Sequence, residues 1–122
     1  MTDPDDLEEQ LAEAQRRYDA GDYDRACKLA DKVIAASDEG PRKNDMLFAE
    51  GMRIFGMASY RAGDLVMADN TLAFAYETRV NAGAGNDEVT KELLLAWSEV
   101  KILRGNTLRA CELLERLREI MG

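Results

Sequence analysis

Apolar residues recur three or four positions apart from the start of the chain, as Leu7, Leu11, Ala14 and Tyr18, with charged residues between them. This is the period of a helix with one apolar stripe. Asp3 before Pro4 predicts a helix cap followed by proline at the first helical position. Asp5, Asp6, Glu8 and Glu9 then fall where the positive end of the helix dipole favours them. Gly21 predicts the stop, and Asp22 the cap of a second helix with Ala26, Leu29, Ala30, Val33 and Ile34 inward, ending before Gly40-Pro41. A third helix opens near Asn44-Asp45 and runs through Met46, Leu47, Ala49, Met52, Phe55, Gly56 and Tyr60 to Gly63. Asp64 caps a fourth, the most apolar of the chain, whose Leu65, Val66, Met67, Leu72, Phe74, Tyr76 and Val80 suggest neighbours on both sides. Gly83 and Gly85 end it. Asn86-Asp87-Glu88 starts a fifth helix through Leu93, Leu94, Leu95, Trp97 and Ile102 to Gly105. Asn106 caps the sixth, lined by Leu108, Ala110, Leu113, Leu114, Leu117 and Ile120. No stretch carries the pattern of a strand.

The punctuation repeats. Gly21-Asp22, Gly63-Asp64 and Gly105-Asn106 are each 42 residues apart, and an alanine follows each glycine five residues on, at Ala26, Ala68 and Ala110. A fixed period of this size signals stacked supersecondary units. Ala14, Gly56 and Ser98 occupy one register position, all small, so the first helix of each pair can approach the second closely. At the neighbouring position Phe55 and Trp97 are fit to be core wedges while Glu13 is not. Tyr18, Tyr60 and Ile102 match in bulk. The first unit is the most polar, which suits an end that faces water. The expected fold is therefore all-α: three antiparallel helical hairpins in one domain over residues 1–122, with units at about 3–40, 44–83 and 86–122.

With 46% hydrophobic residues the chain can form its own core. The formal charge of -8 is concentrated early, with 14 acids against 7 bases in the first 50 residues. That distribution argues against nucleic acid or an anionic membrane as partner. There is no membrane-length apolar run and no signal-like leader, and two cysteines make no disulfide framework, so a cytoplasmic location is expected.

Gly56, Tyr60, the Gly63-Asp64 turn, Ala68 and Ala75 together resemble the tetratricopeptide repeat. Tyr18-Asp-Ala-Gly-Asp-Tyr-Asp-Arg-Ala26 is equally close to that pattern, and the third unit, with Ile102 and Gly-Asn-Thr, is weaker. The period exceeds the family's usual length of about 34 residues and is similar to the longer repeats of kinesin light chain and of some bacterial regulatory proteins. The resemblance implies a right-handed α-α superhelix that holds a peptide or partner helix in a concave groove lined by the first helix of each pair. One subtype grips the C-terminal carboxylate of heat-shock chaperones with lysine, asparagine and arginine. The matching positions here are Leu11, Gln15, Ile54, Glu92 and Ala96, so that ligand is not implied.

The chain has no histidine and no glycine-rich phosphate loop, and its paired carboxylates are adjacent in sequence at a capped helix start. No enzyme, metal site or cofactor is expected. Cys27 and Cys111, two periods apart, are expected to be distant, unbonded and half-buried. Met52 and Met67 read as core filler, and Met57 as groove-facing. The candidate binding face is Gln15, Tyr18, Arg53, Met57, Tyr60, Leu95 and Glu99, which lie on the sides of the three first helices that the small packing residues leave unused. Aromatics and arginine anchor interfaces, and Arg53 suits a ligand carboxylate. The expected function is a non-catalytic protein-binding module, monomeric or homodimeric. The alternative is a structural repeat scaffold, natural or designed, without a ligand.

Overall fold

Among the described residues the predicted stops at Gly21, Gly63 and Gly105 and the starts that follow them are made by local hydrogen bonds. The computed structural model describes residues 4–37 and 45–122, with side chains described from Asp6 and Met46 onwards in those stretches. Among the described residues there are six α-helices and no strand: α1 (Pro4–Asp19), α2 (Tyr23–Ser37), α3 (Asp45–Arg61), α4 (Leu65–Asn81), α5 (Glu88–Leu103) and α6 (Thr107–Met121). The expected cap at Asp3, stop at Gly40-Pro41 and start at Asn44 lie outside the described residues.

Gly21, Gly63 and Gly105 have φ of 82°, 90° and 80°, the left-handed conformation expected of them. At each turn the residue after the glycine donates its amide to the carbonyl five residues back, as Asp64 does to Ser59 at 2.8 Å, and the glycine donates three residues back. This pair of bonds satisfies the last carbonyls of the helix. The next helix is then capped at once: the Asp64 carboxylate accepts from the Met67 amide at 3.1 Å, and the Asn106 side chain accepts from Arg109 at 3.1 Å. A Cβ at Gly63 would meet nothing within 4 Å, so substitution there tests backbone strain alone. Gly63→Ala is expected to destabilise by about 1 kcal/mol in urea melts. An unchanged midpoint would mean that the turn does not depend on glycine.

Each helix packs on the next in sequence, and α3 also touches α1 and α5. The small residues decide how closely. Ala14 and Ser98 are buried, and at Gly56 an added Cβ would lie 2.8 Å from Leu72 and 2.9 Å from the Thr71 hydroxyl, so α3 and α4 meet there with no room for a methyl. Gly51 brings α3 against Ile34 of α2 in the same manner, at 3.0 Å. The largest apolar cluster joins Met52 of α3, Leu72 and Ala75 of α4, Leu93, Leu94, Trp97 and Val100 of α5, and Leu113 of α6. A second joins Ala14, Ala26, Ala30, Ile54 and Ala58, with Phe55 wedged beside it.

The apolar character of α4 is only partly explained by burial. α4 has the expected neighbours on both sides, α3 and α5, and Leu72 is fully covered, but Val66, Met67, Phe74 and Val80 are exposed, so Met67 is not core filler. Leu108 and Leu114 of α6 and Ile102 of α5, expected inside, are exposed as well. Met67 and Phe74 of α4, Leu108 of α6 and Ile102 of α5 lie on the far side of their helices from Leu72, Leu113 and Trp97, and only the side that meets neighbouring helices is buried.

Candidate functional site

The candidate face is built from the outward sides of α1, α3 and α5, and none of its seven residues is buried. Three contacts stitch these helices together. Arg53 of α3 donates to Gln15 of α1 at 2.8 Å and, on its own helix, to Glu50 at 3.1 Å. The Tyr60 hydroxyl donates to Glu99 of α5 at 2.7 Å. Arg61 donates to the Tyr18 hydroxyl at 3.3 Å while its guanidinium lies 5.6 Å from the Tyr60 ring centre. The Glu99 carboxylate, followed by partial burial, pushes the Tyr60 phenol above its ordinary value, because ionising it would set two anions against each other. Met57 packs from this face onto the main core, and Leu95 stands open at 47% exposure.

Sequence reasoning brought these seven residues together but missed how far they satisfy one another. Arg53, expected to be free for a ligand carboxylate, is engaged by Glu50 and Gln15. The reasoning also omitted Glu50, Arg61, Ile102 and Leu103, of which Ile102 and Leu103 are 51% and 61% exposed. The signal was present for Ile102. Tyr60 and Ile102 are one period apart, so carrying the face along the 42-residue register would have reached Ile102, whereas Arg61 and Leu103 are in register only with each other and with Asp19, outside the seven.

Two buried ionic clusters on α4 were not foreseen. Asp69, 4% exposed, accepts from the Trp97 indole at 2.9 Å, from Lys101 at 2.9 Å and from Arg104. Burial opposes its ionisation, but the bonds from Lys101, Trp97 and Arg104 outweigh that and hold the carboxyl below its ordinary value. Arg79, 3% exposed, donates to Glu50, to Asp87 and, at 3.0 Å, to the Thr90 hydroxyl. Thr90 in turn donates to the Ala84 carbonyl at 2.7 Å, and its amide donates to Asp87 at 2.8 Å. One guanidinium thus ties α3, α4, the α4–α5 turn and the start of α5. Every anion in these clusters already has protein cations or donors, so the clusters fasten the fold and offer no open coordination or catalytic geometry. No buried side-chain nitrogen or oxygen among the described residues lacks a partner.

Both cysteines are free thiols. Cys27 is half-buried, 3.9 Å from the Phe55 carbonyl and 3.9 Å from the Ser59 hydroxyl, and burial raises its pKa. Cys111 is exposed, contrary to expectation, because no described helix covers that side of α6. Alkylation with iodoacetamide at neutral pH is expected to modify Cys111 at least about tenfold faster than Cys27, since the thiolate is the reactive form and needs access. Equal rates would refute the burial of Cys27. Among the described residues no His, Cys, Asp and Glu group could hold a metal ion, and no helix is long and apolar enough to cross a membrane.

Comparison of the chain with protein-family models, with curated proteins and with solved structures gave no match.

Proposed function

We propose that the six helices form three tetratricopeptide-like hairpins wound into a right-handed superhelix, and that the chain is a non-catalytic binding module whose protein or peptide partner lies across α1, α3 and α5. The stacking is supported by a contact that recurs in register. Cys27 reaches the residues 28 and 32 positions ahead, Phe55 and Ser59, and Asp69 reaches those 28 and 32 ahead of it, Trp97 and Lys101. Equivalent joints between successive pairs are what a solenoid requires.

The observation that carries the function is the continuity of the face. Hydrogen bonds bridge α1 to α3 and α3 to α5 at the surface, giving a fixed platform on which Leu95, Met57 and the tyrosine rings are presented together. Rigid aromatic and apolar anchors held by polar neighbours are the usual source of binding energy at protein interfaces. The test places a photo-crosslinking amino acid at Leu95, with Phe74 on α4 as control. Adducts formed at Leu95 alone identify the partner, and Tyr60→Ala and Arg53→Ala are each expected to weaken it by about 1–3 kcal/mol. Indistinguishable adducts at the two positions would remove the reading.

A second reading is favoured by the same bonds. Arg53 with Gln15, Tyr60 with Glu99 and Arg61 with Tyr18 hydrogen-bond to one another within the chain, as they would in a structural scaffold with no ligand. Under that reading no reproducible adduct forms at Leu95.

A further inference from the structure

We infer that the occupant of this face is a basic amphipathic helix, seated along α5 with its apolar stripe on Leu95, Ile102 and Leu103 and its lysines or arginines beside Glu92 and Glu99. The inference rests on the binding-face reading above and adds the chemistry of the partner. The apolar component is direct. Leu95, Ile102 and Leu103 are 47%, 51% and 61% exposed, and no described part of the chain covers them. Leu95 and Ile102 are two helical turns apart, which sets about 10 Å between them along α5. A partner helix offering apolar residues seven apart matches that step, the usual geometry of a helix laid in a groove.

The sign of the partner follows from which charges are already spent. The two cations of α5 and Arg104 at its C-cap point elsewhere: Lys91 pairs with Glu88, and Lys101 and Arg104 both turn to Asp69. On α3, Arg53 is held by Glu50 and Gln15, whereas Arg61, like Glu99, is met only by a neutral phenol, that of Tyr18. The carboxylates are in the opposite situation. Glu92 has no ion-pair partner among the described residues, and Glu99 is met only by a neutral phenol. The face therefore presents exposed leucine and isoleucine flanked on α5 by two carboxylates without a cation, against one guanidinium without an anion, Arg61 on α3, in a chain of net charge -8. An acidic segment would be repelled, and so would the same face of a second copy, while lysine or arginine on a partner helix would gain both attraction and steering.

The test uses two fluorescein-labelled helical probes of about 18 residues, identical in their leucine stripe, one with lysines flanking it and one with glutamates. Binding to the full chain is read by fluorescence anisotropy. The lysine probe is expected to bind at least about tenfold more tightly, with the difference shrinking as salt is raised. Glu92→Lys/Glu99→Lys should reverse the preference, and Leu95→Asn/Ile102→Asn should weaken the lysine probe about tenfold or more. Asp31→Lys/Glu115→Lys alters net charge equally at exposed positions on α2 and α6, and should leave binding within about twofold. Circular dichroism confirms that each variant is folded, and Glu92→Gln/Glu99→Gln, which should abolish the preference, replaces the reversal if needed. Equal binding of both probes, no binding of the lysine probe, or an equal effect of the α2/α6 control would overturn the inference. If it falls while Leu95 still crosslinks to a partner in a Tyr60-dependent way, the binding-face reading stands with a partner of other chemistry.

Discussion

Arg79→Ala is expected to cost about 3–4 kcal/mol of folding stability, the low part of the range for breaking a buried ion pair by removing one partner. Three losses combine. Glu50 keeps only its bond from Arg53, the Thr90 hydroxyl loses a donor, and a side chain that is 3% exposed leaves a space into which these polar groups face without a partner. The cost stays at the low end because the Asp87 side chain is 44% exposed and can be hydrated once its cation is gone. Arg79→Lys should recover only part of the loss, because an ammonium lacks the planar fork that reaches Glu50, Asp87 and Thr90 at once. Urea melts of the three proteins provide the measurement. A loss below about 1 kcal/mol would show that the cluster is loosely held and contributes no more than a surface pair.

Asp69 gives the second large effect, and it depends on pH. Asp69→Leu leaves the buried Trp97 indole without an acceptor and removes the partner of two cations, for an expected loss of about 2–4 kcal/mol. Lys101 and Arg104 moderate the cost because their side chains, 18% and 37% exposed, can turn to water. Asp69→Asn keeps an acceptor for the indole and should cost roughly half as much. The folded carboxyl titrates below its ordinary value of 3.8, so its contribution is complete above that value and is lost as the pH falls through the lower, folded pKa. The stability gap between wild type and Asp69→Asn should therefore be constant above about pH 5 and close under more acidic conditions. A gap that persists unchanged at about pH 2 would contradict the ionised, bonded state of Asp69. Trp97 fluorescence offers a local readout of the same bond.

The two clusters also bear on the candidate face. Glu50 is held by Arg79 from within and by Arg53 from the outer side, so it couples the turn between α4 and α5 to the surface of α3. Loss of Arg79 is expected to leave Glu50 to Arg53 alone as well as to destabilise the chain, which is why no binding test above alters Arg79.

What the amino-acid sequence determined by itself was everything set by local interactions. The six helices, the left-handed glycines at 21, 63 and 105, and the caps at Asp64, Asp87 and Asn106 follow from the reach of a side chain to its own backbone and from the cost of a Cβ at positive φ. The small residues at Gly56 and Ser98 and the wedge at Trp97 were legible for a related reason, since a 42-residue register repeats the same packing demand. Tertiary structure alone decided which apolar residues are covered. Met67 and Phe74, five and two residues from Leu72, lie on the far side of α4 from it and are exposed, because the sequence makes α4 apolar on more than one side and the arrival of α3 and α5 fixes which side is filled. It alone decided that Asp69 and Arg79 are buried, for a charge can enter a core only where residues distant in sequence supply its partners: Lys101 and Arg104 for the first, Glu50 and Asp87 for the second. And it decided that Arg53 of the candidate face is spent on Glu50 and Gln15 while Glu92 remains open, a balance of charge set by where α1, α3 and α5 bring their side chains together.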